Sequence, residues 1–205
     1  MTVKSYNPDA PEVTDFRRRI YEQDLGLTAD DMKLVTHENK DSYDTFAYWY
    51  CDQKFLNNGF DQVLIYYYEG EPAGMCCGTH YNANLYRGLQ MYYILKSFRG
   101  KKDCNNLAGR HDGMLSHQMK RADELGCKKY FISVHTYDRR HQRYWEGLKR
   151  DTILGGIIHP RDRQFSAKDF IFLENEYPIM YVNQKVFYCD LCENEFSFDE
   201  LFYDS

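Results

Sequence analysis

Two stretches of this chain carry residue types at spacings that could do chemistry. The first runs from Leu89 to Leu125. It reads as an apolar strand over 89–95, then a loop with Lys96, Arg99, Lys101, Lys102 and glycines at 100, 109 and 113, then an amphipathic segment over 114–125. A strand that opens through a polar, glycine-bearing loop onto a helix start is suited to holding an anion. The first turn of a helix has unpaired backbone N–H groups and a partial positive charge. Glycine lets the backbone come close to a phosphate. The loop is therefore a candidate cradle for a pyrophosphate. The second stretch, Cys189 and Cys192, has a metal or redox spacing. A structural zinc site needs four ligands, usually from a second such pair, and the chain has no other Cys-x-x-Cys. His80 or His159 would have to complete the set, so no metal is expected.

Composition narrows the function classes. A length of 205 residues suits one domain. A single domain over 1–205 is expected, with 1–10 as a loose N-terminal arm and 189–205 as an acidic, aromatic C-terminal tail. The net charge of −5 argues against a general nucleic-acid binder. Local basic clusters at 96–102 and 139–150 also fit an ordinary solvated face. The start of the chain lacks an apolar signal region, and no apolar run approaches the ~20 residues of a membrane span. Seven cysteines without a regular framework suggest reduced thiols and a cytoplasmic location. Tyrosine is abundant, at 19 residues, which favours a wet groove or interface beside the core.

The elements that would position these residues follow from periodicity. Val13, Phe16, Ile20 and Tyr21 share a helical face over 11–25, and Gly26 is a plausible stop. A second helix is expected over 42–57. Strands over 63–68 and 73–81 flank the turn Glu69-Gly70-Glu71-Pro72. A turn region over 82–88 leads into the strand over 89–95. The helix over 114–125 stops at Gly126, and a strand follows over 128–135. A helix over 140–149, a strand over 152–158, a polar loop over 159–168 and strands over 169–173 and 179–188 complete the body. A short final helix would dock through Phe196, Phe198, Leu201 and Phe202. The class is α+β: a mixed, mostly antiparallel central sheet flanked by helices on both faces.

This element order resembles the Gcn5-related N-acetyltransferase (GNAT) superfamily, as a divergent member, over roughly residues 11–190. The run Ile94-Leu95-Lys96-Ser97-Phe98-Arg99-Gly100-Lys101 looks like the family's exit from strand four. Leu125-Gly126-Cys127-Lys128-Lys129-Tyr130 looks like its passage from helix to strand five, and Gly70-Glu71-Pro72-Ala73-Gly74 like its strand-two to strand-three hairpin. The resemblance implies an acyl-CoA-dependent N-acyltransferase. Its simplest form transfers acetyl from acetyl-CoA to an amine of a small molecule or peptide. The donor-binding residues it implies are Ile94, Lys96, Phe98, Arg99 and Gly100, followed by the phosphate loop. The family's loop is Gln/Arg-x-x-Gly-x-Gly/Ala, directly before the helix. A register from Arg99 puts Lys102 and Cys104 at the glycine positions. Counting back from Gly126 puts 106–111 over the motif, keeps Gly109 and sets His111 at the other glycine. That second register lies at the helix start, so Asn106, Gly109, Arg110, His111 and Gly113 are the expected phosphate contacts.

The same resemblance implies a tyrosine that protonates the leaving thiolate. Tyr144 sits near that place, although a tyrosine there serves equally well as packing. The base that takes the amine proton has three candidates: Tyr92, Tyr93 and His135. His135 is preferred because it ends a strand and its ordinary pKa suits the task. Two other readings stay open. One is a non-catalytic GNAT-like module with a degenerate loop. The other is an acyl-carrier-protein-dependent enzyme, because Phe16-Arg17-Arg18-Arg19-Ile20-Tyr21 is similar to the start of N-acyl amino acid and acyl-homoserine lactone synthases. The late strands also leave a homodimer open.

Overall fold

The turn at Glu69 and Gly70 sets the first hairpin. Both residues have left-handed φ, 51° and 86°, the geometry of a two-residue turn whose twist matches the strands it joins. In the computed structural model this turn links β2 (Gln62–Tyr68) to β3 (Glu71–Asn82). The structure describes residues 2–28, 30–31, 59–99, 113–136, 139, 142–143, 157–158, 164–165, 169–179 and 182–203. Asn82 makes the next turn: its Oδ1 accepts the N–H groups of Asn84 and Leu85, both at 2.9 Å. β4 therefore starts at Leu85 and runs to Ile94, so most of the turn region expected over 82–88 is strand.

β1 (Thr2–Tyr6), β5 (Lys129–His135), β8 (Ile171–Ile179) and β9 (Val182–Asp190) complete a seven-stranded sheet in the order β1-β2-β3-β4-β5-β9-β8. The pairs β1–β2, β5–β9 and β8–β9 are antiparallel, and β4–β5 is parallel. The class is α+β with a mixed, mostly antiparallel sheet. β1 corrects the loose arm expected at the N-terminus: it pairs with β2 from Thr2↔Tyr67 to Tyr6↔Val63. Only Val3 of β1 is buried. Backbone pairing holds the strand with one apolar side chain, too little to announce it in the sequence. β6 (Ile157–Ile158), at the end of the strand expected over 152–158, pairs with β7 (Gln164–Phe165), inside the stretch read as a polar loop, to form a separate antiparallel ribbon. The helices expected over 42–57 and, apart from residues 142 and 143, over 140–149 lie outside the described residues.

The chain divides into two compact units. The first comprises residues 1–77 and 91–105, the second 78–90 and 106–205. In the first unit, α1 (Pro11–Arg19) starts on a proline, which fits a first helical turn. It buries Val13 and Phe16, then widens into a π-helical turn, Ile20–Leu25, closed by Gly26 at φ 68°. In the second unit, α2 (Met114–Glu124) buries Met114, Leu115, Gln118, Met119 and Ala122, and Gly126 stops it at φ 76°. The two faces of β5 have different neighbours. Phe131 joins Leu85, Tyr177, Val186 and the α3 (Phe198–Tyr203) residues Phe198, Leu201 and Phe202 in one core cluster. Tyr130, on the other face, reaches α2 through Gln118. Phe196 does not dock with α3 as expected: it is 48% exposed, with the Lys128 ammonium 4.1 Å from its ring.

Candidate functional site

In the second unit the parallel pairing of β4 and β5 covers three residue pairs: Leu85↔Lys129, Tyr86↔Tyr130 and Arg87↔Phe131. Beyond Arg87 the backbone of β4 turns. Leu89 and Met91 hold φ of 48° and 49°, a left-handed conformation that costs a non-glycine residue roughly 1–2 kcal/mol. The Leu89 N–H donates to Gln118 Oε1 at 2.8 Å, and the Tyr130 O–H donates to the same oxygen at 2.8 Å. Gln118 is fully buried. One helix side chain thus satisfies a backbone group released where β4 leaves its partner. Gly88 is required there, since a Cβ on it would lie 1.7 Å from Tyr130 Oη.

Arg87 points to the other face of the sheet. Its Nε donates to Ser133 Oγ at 2.9 Å and its Nη2 to Gln184 Oε1 at 3.2 Å. Gln184 in turn donates from Nε2 to the Ile179 carbonyl at 3.0 Å. Arg87 is only 8% exposed, and burial pushes its pKa down to about 10, which leaves it cationic at neutral pH. His135, half-buried at the end of β5, is the register partner of Gln184. The period of two along a strand puts Phe131, Ser133 and His135 on one face. His135 O and Thr136 O both accept Gln142 Nε2 at 2.9 Å, which ties down the chain as it leaves β5.

The first unit holds the exit from β4. Ile94 and Arg99 are brought together: Arg99 Nε donates to the Ile94 carbonyl at 2.8 Å, and its guanidinium lies 5.0 Å over the Tyr93 ring. Lys96 and Phe98 form a single 3-10 turn with Phe98 buried. Asp24, from the π-helical turn, organises this exit. Its Oδ2 accepts the Tyr93 O–H at 2.9 Å and the Lys96 N–H at 2.7 Å, and its carbonyl accepts Lys96 Nζ. Burial, and then the bond to Asp24, push the Tyr93 hydroxyl up to about 12. Tyr93 therefore keeps its proton at neutral pH. The side chains of Lys96 and Arg99 bond their own chain at this corner.

Gly100, Asn106, Gly109, Arg110, His111 and Tyr144 lie outside the described residues. Gly113 precedes α2 with extended backbone; the first turn of that helix holds no acidic residue, and among the described residues no side chain caps it. Sequence reasoning missed Arg87, Gln118, Ser133 and Gln184. The one available signal was a charged residue inside the apolar run Leu85-Tyr86-Arg87-Gly88-Leu89.

No family model matches the chain, and no curated protein matches it. Several solved structures similar to it are acetyltransferases of the GNAT family. One is an acetyltransferase of that family from Staphylococcus aureus Mu50, at 9% identity and TM-score 0.48, covering 93% of this chain and 100% of that one. A putative N-acetyltransferase from Lactobacillus plantarum is 12% identical at TM-score 0.49, covering 94% and 100%. The PaiA N-acetyltransferase from Thermoplasma acidophilum, in complex with coenzyme A, is 11% identical at TM-score 0.47, covering 93% and 99%.

Proposed function

We propose that this chain is an acyl-CoA-dependent N-acyltransferase, most simply an acetyltransferase acting on an amine of a small molecule or peptide. The observation that carries this reading is the departure of β4 from β5 after Arg87↔Phe131, with the Leu89 N–H turned onto Gln118. A parallel pair that parts in this way gives an extended thioester arm a strand edge to align with. The start of α2 suits the donor's phosphates, since among the described residues neither an acidic side chain nor a side-chain cap competes there. Asn106, Gly109, Arg110, His111 and Gly113 would complete that contact, with Ile94, Lys96, Phe98, Arg99 and Gly100 before them.

In this reading the amine nitrogen bonds the acyl carbon and the carbon–sulfur bond breaks. His135 takes the amine proton, and Tyr144 returns one to the thiolate. A reducing cytoplasm fits both a thioester donor and the cysteines Cys76, Cys77, Cys127, Cys189 and Cys192, which are not in disulfides. Among the described residues no helix is long and apolar enough to cross a membrane.

Thermal unfolding with and without CoA, acetyl-CoA and longer acyl-CoA tests the reading. Ligand at a hundredfold excess over Kd adds about 2.7 kcal/mol to the native state. Thiol release across a panel of amines then reads turnover. A stability shift with turnover is the expected result. A shift without turnover would identify a binding module, and turnover only with acylated carrier protein would identify that donor. No shift with any of these donors at millimolar concentration would end the acyl-CoA reading.

A further inference from the structure

Among the described residues the second unit buries two cations, treated differently by the fold. The Lys129 side chain, 3% exposed, pairs with the Asp190 carboxylate. Among the described residues Arg87 bonds the neutral oxygens of Ser133 and Gln184. Among the described residues no Asp or Glu pairs with it. Removing an ion from water costs several kcal/mol even after relaxation. Two hydrogen bonds to neutral oxygens return only part of that cost. Arg87 therefore sits in a site that would gain from an anion. A guanidinium offers five N–H donors in a planar fork matched to a carboxylate. Ser133 and Gln184 engage Nε and Nη2, which fixes the plane of the fork and leaves donors on Nη1.

We propose that Arg87 is the receptor for a carboxylate carried by the acceptor, so that the acceptor is an α-amino acid. The proposal rests on the acyl-transfer reading and names the substrate class for the same site. Gln184 links its two halves: it accepts from Arg87 and is the register partner of His135. In an α-amino acid the amine and the carboxylate sit on one carbon. A carboxylate held at Arg87 thus keeps the amine on the face of β5 that carries Ser133 and His135. A peptide C-terminus offers the same carboxylate, but its amine lies farther away.

Matched ligands on the unmodified protein test this directly. Each amino acid is compared with its carboxamide, its decarboxylated amine and a dipeptide carrying it, using acetyl-CoA and thiol release. The free acid should exceed the carboxamide in kcat/KM by roughly 10²-fold or more, the scale of leaving a buried charge without its partner. Arg87→Gln should collapse that ratio towards one, and Arg87→Lys should keep part of it. Equal rates for acid and amide, a preference for the dipeptide, or a ratio that survives Arg87→Gln would overturn the assignment. Calorimetry with N-acetyl amino acids and their amides supplies a second readout that needs neither turnover nor a variant. Binding of the acid at least tenfold tighter than the amide supports the site even if no acyl transfer is found, in which case the acyltransferase reading fails alone. Binding of neither ligand, or of both equally, overturns the carboxylate site.

Discussion

Gln118→Leu is the sharpest test of how the second unit is held at the point where β4 leaves β5. Leucine has a similar volume and a good helix propensity, so the substitution removes the polar atoms of this side chain without opening a large cavity. It strands two donors, the Leu89 N–H and the Tyr130 O–H, both bonded at 2.8 Å to one oxygen of a side chain with no exposure. A buried donor without a partner costs about 1–3 kcal/mol, so the pair amounts to roughly 2–6 kcal/mol. That is a large part of the ~5–15 kcal/mol that keeps a typical protein folded. Urea unfolding reads it out: with a slope of about 2 kcal/mol/M, the midpoint should fall by roughly 1–3 M. Tyr130→Phe removes one donor, so adding it to Gln118→Leu should recover about 1–3 kcal/mol instead of costing more. A midpoint loss worth less than about 0.5 kcal/mol in the single variant would refute the reasoning. So would a double variant whose losses simply add.

Three further outcomes follow. Gly88→Ala places a methyl group 1.7 Å from Tyr130 Oη; it should destabilise by roughly 1–3 kcal/mol or more in the same urea experiment, and a neutral result would mean that Tyr130 can move aside. Tyr93 has its pKa raised from 10.0 to about 12 in the folded chain, so the native state holds this proton more tightly than the unfolded one. Its contribution is complete below pH 10 and is lost as pH rises towards 12; Tyr93→Phe should flatten that alkaline loss, and Asp24→Asn should lower the Tyr93 pKa in an ultraviolet absorbance titration. Gly109→Pro removes an N–H and fixes φ in the expected phosphate loop; acetyl-CoA should then no longer raise the unfolding temperature, whereas an unchanged shift would mean that the loop register is wrong.

The parts of the fold that the sequence announces are those whose signal is local. Glu69-Gly70 marks a hairpin because a two-residue turn of that kind needs positive φ, and Gly26 and Gly126 stop helices for the same backbone reason. The period of α2 is legible because one face is apolar. Parts set by long-range pairing are not. β1 has one buried residue and exists because β2 offers it an edge. The bend in β4 is hidden because leucine and methionine rarely adopt the left-handed conformation that Leu89 and Met91 hold. Arg87 reads as a surface residue in isolation, and Gln118 as a polar residue on the otherwise apolar face of α2. Their burial depends on β5, β9 and α2 closing around them, which no short window shows. His135 and the strand exit became candidates through their neighbours in sequence, whereas Arg87, Ser133 and Gln184 come from three different strands and share no local signal.

The α3 residues also set a schedule for biosynthesis. The first unit is complete once residue 105 has been made, whereas the second draws on segments from residue 78 onwards. Its cluster around Phe131 and Tyr177 needs Phe198, Leu201 and Phe202. Phe198 packs edge-on against Phe131 at 5.3 Å and against Tyr177 at 5.1 Å. Until the ribosome releases that segment, Phe131, Tyr177 and Tyr188 lack the rings that cover them. During translation the first unit can close while the second waits, with an aromatic surface that a chaperone would recognise. A nascent chain stalled before residue 198 should therefore resist protease in one unit and remain open to it in the other.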